Sequence, residues 1–397
     1  MRKVMGVLAA AAAAGMVSLA TGAGSAWAGP LGNSSLVVLR FGTGTAASIS
    51  GAVPTFLDEY TVDLNPATSL PAVPRQTIAL PTSGPQAIVL ASGVSRSHAL
   101  SRSVNGQYLT FGAYNAPVGS GNPASNAANA RIAVRVGLDG SVDGSTNIAS
   151  PIAGTQPIRH AVSVDGSSFY ASFDNAAQQP GVVLASYGPQ TISSVRTTIS
   201  IRESQMSGVR NLAISSSALF AFSGTGSGGI YAFSPLPTTL QDPPPVIAYS
   251  DRSFTTGVLV DVDGDGGNDL LYTIGNDDQI NAGRDTLFKF AFVGGTWVER
   301  GLTLIPAATS GVTNRSFVDV VVSGGASVLF VSNETGIYRL TESDAVNGSL
   351  VEAALTSATP YISAASNTRF RGFAAIPEPA MLGLLGPAFA LLLRRRG

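Results

Sequence analysis

The chain has 397 residues, with 23 Lys and Arg against 24 Asp and Glu, two histidines and no cysteine. The absence of cysteine excludes disulfides, thiolate metal centres and cysteine nucleophiles, and two histidines are too few for a His-rich zinc or iron centre. Charged residues are only 12% of the chain while glycine reaches 45, which fits a turn-rich all-β protein and not a helical enzyme.

Residues 1–28 read as a signal peptide. Arg2 and Lys3 form a basic start, Val4 to Ala20 is an alanine-rich apolar region, and Ala26-Trp27-Ala28 is an A-x-A cleavage site. The mature chain then starts at Gly29, and without disulfides its body must be held by its core alone. Between this leader and the C-terminal tail lie 18 basic and 23 acidic side chains, with Lys289 the one lysine. Such a body lacks the basic stripe that phosphates require, so no nucleic-acid partner is expected.

From Ser35 onward short alternating or Val/Ile/Phe-rich segments recur between Gly, Asp-Gly, Asn-Gly or Pro turns, with no sustained helical period. A two-strand unit repeats. Ala99 to Val104 turns at Asn105-Gly106 into Gln107 to Tyr114, and His160 to Val164 turns at Asp165-Gly166 into Ser167 to Phe173. Asn211 to Ser215 leads to Ala218 to Ser223, Gly257 to Val262 to Asp269 to Ile274, and Phe317 to Val322 to Val328 to Ser332. Further strand-like segments follow each pair, giving four strands per roughly 45 to 60 residues, the signature of a β-propeller.

A sixth copy begins at Phe370 to Ala375 and stops at the tail. Leu36 to Phe41, Phe56 to Val62 and Gln76 to Leu80 can supply its other three strands, closing the ring with both chain ends in one blade. The expected fold over residues 29–375 is therefore a six-bladed propeller. A seventh blade could lie between Leu80 and Ala99 or in Asn115 to Asn129, and a pair of β-sandwiches is the alternative architecture.

When the units are aligned an arginine precedes each inner strand, at Arg96, Arg159, Arg210, Arg252, Arg315 and Arg371. One reading is that each guanidinium ties down loops of an adjacent blade through its five donors. The other is a positive ring at one channel mouth that collects anions such as acidic sugars.

Asp261-Val262-Asp263-Gly264-Asp265-Gly266-Gly267-Asn268-Asp269 places carboxylates at positions 1, 3, 5 and 9, a carbonyl at 7 and glycine at 6. Hard Ca²⁺ takes six to eight oxygens in this kind of loop. The stretch resembles DxDxDG calcium loops, specifically those of integrin-type propeller blades. It departs from an EF-hand, which has Glu at position 12, where this chain has Tyr272. The resemblance implies Asp261, Asp263, Asp265, Asp269 and the Gly267 carbonyl as ligands of a structural Ca²⁺.

Catalytic candidates are few. Asp58 and Glu59 are adjacent, so along a strand they point to opposite faces and cannot share one glycosidic bond. His98 and His160 each lie beside a repeated arginine, and no G-x-S-x-G or H-E-x-x-H motif is present.

The tail, residues 376–397, holds Pro377-Glu378-Pro379, an apolar run from Ala380 to Leu393, and Arg394, Arg395 and Arg396. This order resembles the PEP-CTERM sorting signal, which implies recognition and processing by exosortase, a membrane-embedded transpeptidase of bacteria that make exopolysaccharide. Fourteen residues rise about 21 Å as helix, short of the roughly 30 Å hydrocarbon core, and the arginines should stay cytoplasmic. Tail and body together resemble PEP-CTERM proteins with propeller-like bodies. The expectation is an exported surface or matrix protein, more a binding or structural propeller than an enzyme, contacting exopolysaccharide or surface proteins. The alternative is a Ca²⁺-dependent extracellular hydrolase or lyase acting on sugars or lactones.

Overall fold

The computed structural model describes residues 29–45, 51–62, 73–92, 98–148, 156–173, 180–189, 196–201, 207–225, 228–241, 246–248, 252–276, 285–307, 316–323, 326–342, 348–350, 355 and 359–377. Glu378, Pro379 and Arg394 to Arg396 of the tail lie outside them, as do Arg96 and Arg315. Among the described residues no helix is long and apolar enough to cross a membrane.

The chain opens with β1 (Ser35–Phe41), β2 (Ala52–Val53), β3 (Thr55–Thr61), β4 (Gln76–Ala79) and β5 (Leu90–Ala91), where β5 pairs only with β2. Five antiparallel meanders follow. Blade 2 is β6 (Ser101–Arg102), β7 (Tyr108–Asn115), β8 (Ala130–Gly137) and β9 (Val142–Asn147). Blade 3 is β10 (Ile158–Val162), β11 (Ser168–Phe173), β12 (Pro180–Ser186) and β13 (Arg196–Ile201), and blade 4 is β14 (Ser207–Ile214), β15 (Leu219–Thr225), β16 (Gly229–Phe233) and β17 (Val246–Ala248). Blade 5 comprises β18 (Ser253–Val260), β19 (Leu270–Asn276), β20 (Asp285–Val293) and β21 (Thr296–Leu304), and blade 6 comprises β22 (Phe317–Ser323), β23 (Ala326–Ser332), β24 (Gly336–Glu342) and β25 (Ile362–Ser363). The last strand, β26 (Arg369–Ile376), returns to β1 and completes blade 1 in the order β26-β1-β3-β4.

In that closing pair Leu36 faces Ala375 and Val38 faces Phe373. The inner strands touch in the sequence β26, β6, β10, β14, β18, β22 and back to β26, so the ring is closed. The fold is a six-bladed β-propeller, shut by pairing the two ends of the body as the sequence leads one to expect. Among the described residues there is no seventh blade. The described part of Leu80 to Ala99 contributes only β5, and Asn115 to Asn129 holds a single 3-10 turn, Pro123–Ser125, capped by Asn122.

Every blade is buried on both faces, which explains its sequence. In β1, Leu36 and Val38 point into the junction of blades 6 and 1, while Val37, Leu39 and Phe41 point into the junction of blades 1 and 2. In β19, Leu270, Tyr272 and Ile274 face blade 6 while Leu271 faces blade 4. Strands packed on both sides read as continuous apolar runs whose alternate residues serve different junctions. The hydrophobic core is accordingly six clusters, one per junction, arranged around the axis. The outer strands escape this rule. β9 reads Val-Asp-Gly-Ser-Thr-Asn and β25 has two residues, so neither carries an apolar pattern by which the sequence would reveal it.

Candidate functional site

All six blades repeat one meander about one axis, so their inner strands run in the same direction and end on one face. At that end the axis opens into a cavity of about 520 Å³. Its walls come from Ala99 to Val104 of blade 2, Ala213 to Ser216 of blade 4, Thr256 to Asp261 and Gly266 to Asn268 of blade 5, Phe317 to Val322 of blade 6, and Phe373, Ala375 and Pro377 of blade 1. Hydroxyl and amide groups of Ser101, Ser103, Ser215, Ser216, Thr256 and Asn268 alternate there with valines, and Arg102, Asp261 and Asp319 supply charge.

Asp319 is the acid inside the wall. It sits in β22, Phe-Val-Asp-Val-Val-Val-Ser, where one Oδ accepts from Val320 N at 2.9 Å and the other from Ala375 N, in the next blade, at 2.7 Å. Burial pushes its pKa up to about 6, against the opposing pull of those two amides and of Arg102. A lone aspartate within an apolar run was the signal for this residue, and the sequence reading passed over it.

The Asp261 to Asp269 loop joins β18 to β19 and forms part of the cavity mouth. One carboxylate oxygen from each of Asp261, Asp263 and Asp265 lies within 4.8 Å of the others. Asp269 is not in that group, and its Oδ2 accepts from Val262 N at 2.6 Å. The loop holds its carboxylates by backbone donors: Gly264 N and Gly266 N to Asp261 at 2.7 and 2.9 Å, Asp265 N to Asp263 at 3.1 Å, and Gly267 N to Asp265 at 2.6 Å. Gly264 and Gly266 have φ of +79° and +89°, a left-handed backbone that glycine adopts without strain. Three hard carboxylates, Asp263 and Asp265 exposed and Asp261 half-buried, are a donor set suited to Ca²⁺. Asn268 Nδ2 donates to Ser215 Oγ at 3.1 Å and so ties the loop to the neighbouring turn of blade 4.

None of the four described repeat arginines lines the cavity. Arg371 is buried, with Nη1 2.8 Å from Glu334 Oε1 of blade 6 and Nη2 2.9 Å from the Ser92 carbonyl. Arg252 pairs with Glu299 at 2.9 Å and lies over the Phe288 ring. Arg159 is buried in β10 and its carbonyl accepts from His98 N at 2.6 Å, while the Arg210 stem packs on Gly224. Among the described residues, the arginine in the cavity wall is Arg102.

Both histidines are buried between blades, away from the cavity wall. His98 Nδ1 donates to the Gly112 carbonyl at 2.8 Å, and its Nε2 has no hydrogen-bond partner among the described residues. His160 Nδ1 accepts from Leu212 N at 3.2 Å, which leaves its Nε2 proton for Ser101 Oγ at 3.1 Å. Burial pushes both down to about 3, so both rings are neutral. Asp58 and Glu59 occupy opposite faces of β3. Asp58 pairs with Arg40 and accepts from Thr77, whereas Glu59 accepts from Ser35, Gln76 and Gly32 N, each at 2.6 Å.

Six four-stranded meanders around an open polar cavity place the chain in the class of six-bladed β-propellers. No family model matches it, and no curated protein does. Among solved structures it is similar to a putative 6-phosphogluconolactonase from Bacteroides fragilis, at 11% identity and TM-score 0.41, covering 85% of this chain and 97% of that one. PorZ, a surface component of the type-IX secretion system of Porphyromonas gingivalis, gives 12% identity and TM-score 0.41 over 90% of this chain and 47% of that one. Dipeptidyl peptidase 4 of Porphyromonas gingivalis gives 11% identity and TM-score 0.37 over 79% of this chain, which spans 50% of that enzyme's length. Similarities this low carry no argument about activity, and the architecture rests on the strand pairing itself.

Proposed function

We propose that the chain is an exported protein, sorted and processed at its PEP-CTERM-like tail by exosortase, whose propeller serves as a binding or structural module at the cell surface or in the extracellular matrix. Exopolysaccharide is its favoured ligand, with other surface proteins as the second partner class. The observation that supports this most is the axial cavity, where serine, threonine and asparagine groups stand beside Asp319 and Arg102. Sugar hydroxyls both donate and accept, as these hydroxyl and amide side chains do, and the volume lies in the range that small ligands occupy. Calcium held by Asp261, Asp263 and Asp265 would stiffen the cavity mouth.

The test is retention of the chain from Gly29 to Pro377, which contains every described strand, on the producing organism's own exopolysaccharide. Retention should fall for Arg102→Ala and Asp319→Asn, and in chelator if Ca²⁺ shapes the mouth. Failure to bind any envelope or matrix fraction removes the proposal.

One observation favours a Ca²⁺-dependent hydrolase or lyase as the second reading: the Asp261 loop opens on the axis and not on the outer rim of its blade. Release of reducing ends or opening of a lactone by the purified chain, lost in Asp261→Asn, would make that reading the better one.

A further inference from the structure

Among the described residues the exposed large hydrophobic side chains are Val73, Val104, Leu240, Phe292, Val293 and Val298. Topology puts five of the six at one end of the propeller, while Leu240 lies to the side, next to Gln241, whose N–H donates to the Ile199 carbonyl midway along β13. Val104 follows the inner strand β6, Val73 lies between β3 and β4, and Phe292, Val293 and Val298 flank the β20–β21 hairpin. In an up-and-down blade the connections from first to second and from third to fourth strand open on the same face, the one where the inner strands end. Blade 5 shows this in its register, because Val260 faces Leu270, Leu270 faces Ala291 and Ala291 faces Val298. Beyond that row lie both the Asp261 loop and the hairpin tip, joined by Phe292 N donating to the Asp269 carbonyl at 2.8 Å.

The hairpin is the most apolar part of this face. Phe292 is 47% exposed, Val293 45% and Val298 40%. Trp297 is half-buried, with its ring 5.2 Å from Phe292 and 5.8 Å, edge-on, from Phe220. The body also ends here. β26 delivers Pro377 into the wall of the same cavity as Asp261, Gly267 and Asn268. The apolar run starts at Ala380, three residues on, a span of about 10 Å at full extension.

We infer that this face is a docking surface for a lipid bilayer, with the Phe292 to Val298 hairpin resting in the headgroup layer and the propeller axis along the membrane normal. The inference rests on the tail being a membrane segment before processing. If the run beginning at Ala380 enters the hydrocarbon, a connection of that length holds the face against the interfacial region, where aromatic side chains are favoured. Because the tail leaves at the axis, the whole face, and not an edge, is brought to the lipid. The three carboxylates of the Asp261 loop stand on the same face and oppose anionic headgroups, so the fitting surface is zwitterionic. The opposite face, where the inner strands begin, then looks away from the membrane.

The experiment uses the chain from Gly29 to Gly397, in which Trp297 is the only tryptophan, reconstituted into phosphatidylcholine vesicles containing brominated phosphatidylcholine. Flotation reports tail insertion, checked against a chain ending at Pro377, which should stay behind. Quenching of Trp297 reports the docked face. The expected result is flotation together with loss of most of the Trp297 emission and a blue shift. Phe292→Ser combined with Val293→Ser, both exposed positions, should float equally but recover much of the emission. Flotation with unquenched Trp297 overturns the docking surface while leaving the tail reading intact. Absence of flotation overturns the tail reading and the docking surface with it. Unquenched Trp297 accompanied by crosslinked pairs of the chain would assign the face to a second copy and overturn the lipid.

Discussion

Arg371 of β26 and Glu334 of blade 6 form a buried ion pair, Nη1 to Oε1 at 2.8 Å, across the junction that closes the propeller. Arg369 approaches the same carboxylate at 3.9 Å, and the Glu334 carbonyl accepts from Phe370 N at 2.9 Å. The last strand is thus fastened to its neighbour by charge as well as by the β1 ladder. Glu334→Ala leaves the Arg371 guanidinium buried without its carboxylate, and a loss of about 3–5 kcal/mol is expected. Urea unfolding measures it, and a double substitution of Glu334 and Arg371 by apolar residues should lose less than the single change. Equal losses would show that the pair is not a unit.

Gly372 marks the other side of the same strand. A Cβ there would stand 2.5 Å from Leu100 N and 3.0 Å from Ala99 Cα, both backbone atoms of blade 2. Backbone yields less readily than a flexible side chain, so Gly372→Ala should destabilise by about 1–3 kcal/mol. Ending the chain at Pro377 should leave the melting temperature unchanged, whereas ending it at Thr368 removes β26, opens the ring and should abolish cooperative unfolding. A cooperative transition in the shorter chain would contradict closure through β26.

Acid should weaken the fold through its histidines. His98 and His160 are pushed down to about 3 by burial, whereas unfolded histidine titrates near 6.5. Between those values the unfolded chain binds more protons, so this stability is complete above pH 6.5 and is lost as pH falls toward 3, by about 1.4 kcal/mol per pH unit for each ring. Asp319 acts with the opposite sign. Raised to about 6, it binds its proton more tightly in the fold, and its contribution disappears as pH rises from about 4 to 6. Asp319→Asn should therefore steepen the acid loss between pH 4.5 and 6. His98→Asn, which tolerates the φ of +68° at that position, should flatten it. Urea unfolding at the two pH values checks both signs.

Calcium should stabilise the body through the Asp261 loop. With Ca²⁺ at 100 times its dissociation constant, linkage gives about 2.7 kcal/mol, a shift of a few degrees in melting temperature. Asp263→Ala should remove the shift while leaving the melting temperature in chelator near that of the unaltered chain. A full shift in the variant would exclude this loop as the site.

Much of this was legible before the structure. Near-continuous apolar runs such as Leu36 to Phe41 and Phe317 to Val322 marked the inner and second strands, because residues of a strand buried on both faces are apolar almost throughout. The truncated copy at Phe370 to Ala375 foretold the ring closure, since an unpaired strand edge at both ends of the body would be costly. The outer strands β9, β17 and β25 were not legible, because a strand at the rim packs on one side only and its sequence is under weaker constraint. The Asp261 loop was visible through its spacing, while its position at the axis was not.

Local sequence determined which residues form strands and turns, where Asp261, Asp263 and Asp265 converge, and that the apolar run from Ala380 follows the last strand directly. These features depend on neighbours a few residues apart. The fold decided the rest by bringing distant residues together: Arg371 onto Glu334 and Ser92, Asp319 onto Ala375, Arg102 rather than the four described repeat arginines onto the axis, and the exposed Phe292 hairpin onto the face where Pro377 leaves. Side-chain charge and hydropathy are properties of single residues, but whether a guanidinium lines a cavity or joins two blades depends on the circular order of six sheets, which no local pattern encodes.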